Sequence, residues 1–105
     1  MKIIYNNIIP FKGFTAINLF GVLFVRINVI LTDRIINHEK IHTAQIKELL
    51  YLFFYVLYGL EWFFKLLKYG LKSYFNISFE REAYENEKNF EYLKNRKKFR
   101  FLKYL

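Results

Sequence analysis

His38-Glu39-Lys40-Ile41-His42 holds the only two histidines of the chain, four residues apart, with a carboxylate beside the first. On an α-helix of roughly 3.6 residues per turn, positions i and i+4 share a face, so both imidazoles can point at one ion. Glu39 then lies roughly 100° round from His38 and about 60° from His42, near enough to reach a water on the metal without having to ligate it. This is the short H-E-x-x-H pattern: two neutral nitrogens for a metal and a base beside them. The bland alternative is two histidines on a solvated helix face next to Lys40.

The flanking residues predict that helix. Thr32 or Asp33 can cap its start, and no Gly or Pro follows until Gly59. Ile35, Ile36, Ile41, Ile46, Leu49 and Leu50 recur at helical intervals and turn His38 and His42 partly inward. Gln45, one turn beyond His42, can donate or accept near the site. Upstream, residues 3–28 are β-branched and aromatic, broken at Pro10, Gly13 and Gly21. They predict a hairpin, with strands at Phe14 to Ile17 and Val22 to Ile27 and a turn over Asn18 to Gly21.

Downstream, Leu49 to Leu60 carries no charge, and Glu61-Trp62-Phe63-Phe64 follows before Lys65 and Lys68. A spanning helix needs about 20 mainly apolar residues, so this segment fits a helix at the membrane interface or a buried hairpin at least as well as a span. A further helix starts near Asn76 or Ser78, with Glu80, Glu82, Glu85 and Glu87 in its first turns. Acids there also favour the positive end of the helix dipole. The tail, residues 94–103, interleaves six cations with aromatics and contains no acid. It suits lipid headgroups, nucleic acid or simply a helix C-terminus.

A metal held by two histidines needs a third protein ligand and an open position. No third histidine exists, so the ligand must be a carboxylate from another element. Glu80-Arg81-Glu82-Ala83-Tyr84 resembles the E-x-x-A motif of the gluzincin branch of zinc metallopeptidases, in which a Glu on a downstream helix completes the site. The H-E-x-x-H helix, apolar segment and F-E-R-E-A-Y helix together are also similar to small bacterial H-E-x-x-H proteins of unassigned function.

The resemblance implies Zn²⁺ on His38, His42 and Glu80, with Glu82 the alternative third ligand, roughly 200° away round the helix. It implies Glu39 as general base in peptide hydrolysis, and Tyr84 where relatives place an Asp that orients a ligating histidine. Tyr84 or Arg81 could assist as electrophile. The strand at Val22 to Ile27 would present its edge to an extended peptide or protein substrate. The fold implied is α+β and mainly helical. It is one zincin-like domain over residues 1–105, with the β-hairpin in 1–30, the metal-motif and apolar helices in 32–70, and the third-ligand helix and basic tail in 76–105.

Composition bounds the rest. At 105 residues the chain is one domain, yet 54% of it is hydrophobic and 22% aromatic, with 13 Phe and 9 Tyr. That excess predicts apolar surface facing lipid or a partner. The absence of Cys excludes disulfides, thiolate ligands and a cysteine nucleophile. Residues 1–7 do not read as a signal peptide, so the expectation is a cytoplasmic protein, peripheral or integral to the inner membrane. The net charge of +8 suits an anionic partner, either a membrane surface or nucleic acid, and nucleic acid is the less expected because only charge and tail support it. The competing function is a non-catalytic membrane-surface or interaction protein that binds through its aromatic helix and basic tail.

Overall fold

The computed structural model describes residues 1–10 and 14–105; Gly13, one of the expected breaks, lies outside them. Three strands, β1 (Lys2–Asn6), β2 (Ala16–Leu19) and β3 (Val22–Arg26), form one sheet in the order β1-β3-β2. Four helices follow: α1 (Asp33–Glu48), α2 (Leu52–Tyr69), α3 (Ser78–Asn86) and α4 (Tyr92–Asn95). Short 3-10 turns link α2 to α3, and another, Arg100–Tyr104, ends the chain. The domain is α+β and mainly helical.

The hairpin exists, with its strand and turn shifted from the expected positions. β2 runs antiparallel to β3 with Leu19 opposite Val22, so the turn is the pair Phe20-Gly21. Both residues have positive φ, 54° and 89°, the backbone that matches strand twist in a two-residue hairpin. Glycine adopts it freely, whereas Phe20 is held there by its N–H on the Tyr55 hydroxyl at 2.8 Å and its ring against Tyr55. β1, an additional strand, runs parallel to β3 with Ile4 opposite Phe24. Alternation along β3 buries Leu23 and Val25.

The substrate-edge role expected of Val22 to Ile27 is therefore corrected: β3 is the central strand, hydrogen-bonded on both sides. Among the described residues, β2 is an edge.

Thr32 caps α1, its Oγ1 accepting from the Ile35 N–H at 3.2 Å. Leu50 and Tyr51, both at positive φ, turn the chain so that α1 and α2 meet at 109°. The start of α3 has a different solution from Asn76 or Ser78 as cap. Ile77 occupies the cap position, and the Glu61 carboxylate reaches across from α2 to accept from the Ser78 N–H and, at 2.5 Å, from its hydroxyl. An anion there complements the helix dipole. Ile46, Phe54, Ile77, Phe79 and Phe101 form the core beneath these elements.

The basic tail is not one solvated end. Arg96, its side chain 5% exposed, lies between Glu48 and Glu82, and Phe101 is buried in the core. No single helix among the described residues is long and apolar enough to cross a membrane, although α1 and α2 pass such a test as a bent pair.

Candidate metal centre

α1 buries Asn37, His38, Ile41, His42, Gln45 and Ile46, a stripe that recurs each turn and is unusually polar for a core face. It packs against α3, which buries Ser78, Phe79, Glu80, Glu82 and Ala83. Asn37 fixes the two helices together, its amide donating to the carbonyls of Glu87 at 2.9 Å and Asn89 at 3.1 Å. Across this seam His42 Nε2 lies 3.1 Å from both His38 Nε2 and Glu80 Oε1, and His38 Nε2 lies 3.4 Å from the same oxygen. All three side chains are buried, and together they could hold a metal ion.

The hydrogen bonds behind the imidazoles set their tautomers. The Gln45 amide donates to the Phe79 carbonyl at 3.0 Å and the Glu82 carboxylate at 2.9 Å, both acceptors, so its Nε2 is identified by its partners. Its oxygen therefore faces His42 Nδ1, at 2.8 Å, which must donate. His38 Nδ1 likewise sits 2.8 Å from Glu87 Oε1, and Arg34 pairs with the other oxygen of that carboxylate. With both Nδ1 atoms protonated, neutral imidazoles turn two bare Nε2 lone pairs and a carboxylate oxygen onto one point. Three acceptors at this distance repel one another unless a cation lies among them.

Either a proton or a metal can be that cation. Burial alone would lower the His42 pKa, but the Glu80 charge and hydrogen bond, with Glu39 and Gln45, push it up to about 9. Burial would raise Glu80; the His42 charge and hydrogen bonds from His38, His42 and Tyr58 outweigh it and hold the carboxyl below the usual range. Tyr58 donates to Glu80 Oε2 at 2.7 Å, leaving Oε1 for the histidines. Glu39 is raised, chiefly by burial, against the pull of the two histidines and with a further push from Glu80. It stands with His42 and Glu80 in the lining of a cleft of about 410 Å³, otherwise mainly apolar and walled by β2 and by Tyr55, Tyr58 and Trp62 of α2.

The residues singled out from the sequence separate clearly. His38, His42 and Glu80 converge. Glu82 faces the other way, bonded by Arg96 at 2.5 and 3.0 Å, Tyr92 at 2.6 Å and Gln45, so its oxygens are already engaged. Arg81 turns to the Tyr104 carbonyl at 2.6 Å and takes no part. Tyr84 packs its ring edge-on to His38, with centroids 4.5 Å apart, while the orienting hydrogen bond to that histidine comes from Glu87. Glu87 was detectable: it lies seven residues beyond Glu80, two helical turns along the same face. Tyr58 carries no such signal, because only the fold brings α2 beside α3. No family model, curated protein or solved structure matches this chain, so its chemistry is read from its own side chains.

Proposed function

We propose that the protein is a minimal zinc metallopeptidase of gluzincin type, with His38, His42 and Glu80 as ligands and Glu39 as general base. The observation that carries this reading is the convergence of two Nδ1-protonated imidazoles and an ionised carboxylate beside a cleft. Zinc bonds of about 2.0–2.1 Å at tetrahedral angles separate ligand atoms by about 3.3 Å. The observed separations of 3.1, 3.1 and 3.4 Å bracket that value. Two nitrogens and one oxygen, with no sulfur, also suit zinc, and three protein ligands leave a position open.

Zinc in such a site supplies Lewis acidity, lowering the pKa of a water towards about 7 and polarising a carbonyl. Glu39 takes the proton from the attacking water and passes it to the leaving amine. A carboxylate whose pKa is raised by burial is better matched to that task at neutral pH than an exposed one. Glu87 and Gln45 keep both histidines in the ligating tautomer. Tyr58 holds Glu80, and its own pKa is raised, first by burial and then by Glu80, so it stays a donor.

The substrate is an extended peptide. The Arg26 N–H to Thr15 carbonyl bond and the Ile17–Phe24 pairing leave the backbone groups of Ala16 and Asn18 directed off the β2 edge. Tyr55 engages the Asn18 carbonyl at 3.1 Å, so among the described residues the Ala16 donor and acceptor and the Asn18 N–H are what the edge offers an added strand. Phe14, Ile17 and Trp62 in the cleft lining favour a bulky apolar side chain.

Metal content and cleavage separate the two parts of the proposal. The purified protein is expected to carry one zinc per chain, lost in His38→Ala; trace metal in both sinks the site. Glu39→Gln is expected to keep the zinc and lose cleavage of apolar peptides, and undiminished cleavage would refute Glu39 as the base.

A further inference from the structure

We propose that the outward face of α2 binds the surface of an anionic lipid bilayer, with the helix lying along the interface. The proposal is independent of the metal chemistry. At roughly 100° per residue, Phe54, Tyr58 and Glu61 share the inward side of α2. There Phe54 enters the core, Tyr58 meets Glu80 and Glu61 caps α3. The opposite arc carries Phe53, Val56, Leu60, Phe63, Phe64 and Leu67, all exposed, with Phe64 at 65% and Leu67 at 74%. The helix is inside out: its polar groups are used internally and its outward arc is bulky and apolar.

Three features favour lipid as the occupant of this face. Lys65 and Lys68, in the last turns of α2, lie on the side away from the arc, with Lys72 just beyond the helix; the first two lie over the ring of Tyr69, at 5.8 and 5.3 Å from its centroid. In a helix lying along the interface, lysines and an aromatic on the side away from an apolar arc match a headgroup layer above acyl chains. The net charge of +8 draws the chain to an anionic leaflet and repels a second copy of itself. The arc also lacks the hydrogen-bonding groups that a protein interface spaces about every 100–200 Å². With 18 residues, α2 is about 27 Å long, and no single helix among the described residues meets the requirements of a span, so the helix is expected to lie in the surface rather than cross it.

The test is flotation of the full chain with phosphatidylglycerol-containing vesicles and with pure phosphatidylcholine vesicles. Binding to the anionic vesicles is expected to exceed binding to neutral ones at least tenfold and to lose that preference at about 1 M salt, where the Debye length is about 3 Å. Phe64→Glu with Leu67→Glu is expected to reduce flotation at least tenfold with helical circular dichroism unchanged. Lys68→Glu with Lys72→Glu, which leaves the apolar arc whole, is expected to remove only the anionic preference. An acyl-brominated lipid is expected to quench a Trp placed by Phe64→Trp. Absence of flotation, undiminished flotation of the folded glutamate double variant, or a stable dimer that these glutamates dissociate and that does not float would each overturn the proposal.

Discussion

Glu87 decides the state of His38 without touching the point where the lone pairs meet. Its carboxylate accepts from Nδ1 at 2.8 Å, while Arg34 holds the other oxygen. Glu87→Gln keeps an acceptor within reach and removes the charge. It is expected to weaken zinc binding about 10–100-fold, read by competition with a chromophoric chelator, with the fold intact. Unchanged affinity would show that the Glu87 charge does not strengthen His38 as a ligand. His38, Glu39 and His42 could be placed from spacing alone, because i/i+4 geometry belongs to the helix and needs no tertiary information, whereas Glu80 rested on the resemblance of residues 80–84 to the E-x-x-A motif. The choice between Glu80 and Glu82 was not decidable at that level. Two acids roughly 200° apart on a helix allow only one to face the histidines, although both are buried; which one depends on Arg96, which lies 14 residues beyond Glu82.

The segment from α4 to the terminal 3-10 turn acts as a strap, with Arg96 between Glu48 and Glu82 on one side and Phe101 in the core on the other. Burial would raise Glu82, but hydrogen bonds from Arg96, Tyr92 and Gln45 hold it below its ordinary 4.5. With the folded pKa depressed, its stabilisation is complete above 4.5 and lost as pH falls through the folded value. Arg96→Met leaves two carboxylates unpaired and is expected to cost about 3–5 kcal/mol in urea unfolding at pH 7. Only Tyr92 and Gln45 then oppose burial, so Glu82 is less depressed and the variant should lose less stability than the wild type as pH falls below 4.5. A variant whose pH profile parallels the wild type would contradict the pairing. A six-cation run looks solvated in sequence because nothing local marks Arg96 as different from Lys97.

The edge strand makes a separate prediction. Ala16→Pro removes one of the two N–H groups directed off the β2 edge, those of Ala16 and Asn18, while leaving the β3 side paired, a substitution that edge positions tolerate. It is expected to raise KM for peptides with zinc content unchanged; an unchanged KM would move the substrate off β2. Composition made the hairpin legible, but not which of its strands would be the edge. That was settled by β1, whose parallel pairing with β3 is a long-range contact without a local signature.

Across the whole molecule, the chain binds its own helices through a polar seam and leaves much of its apolar surface outside. An eighteen-residue helix with Phe54 as its one buried residue adds little to the core. The metal site between α1 and α3 is therefore expected to contribute visibly to stability. At zinc a hundredfold above Kd, linkage gives about 2.7 kcal/mol, and chelation should lower the unfolding midpoint reversibly. Overall hydrophobicity foretold an unsatisfied surface, but only the fold showed that it is the outer arc of α2. Whether His38, His42 and Glu80 meet on one ion is read by zinc-edge X-ray absorption on stoichiometrically loaded protein, with Glu80→Gln and Glu82→Gln beside it. The prediction is a shell of nitrogen and oxygen at about 2.0–2.1 Å with two imidazoles, retained in Glu82→Gln and lost or loosened in Glu80→Gln; a wild type without ordered zinc, or a Glu80→Gln spectrum identical to the wild type, would contradict it.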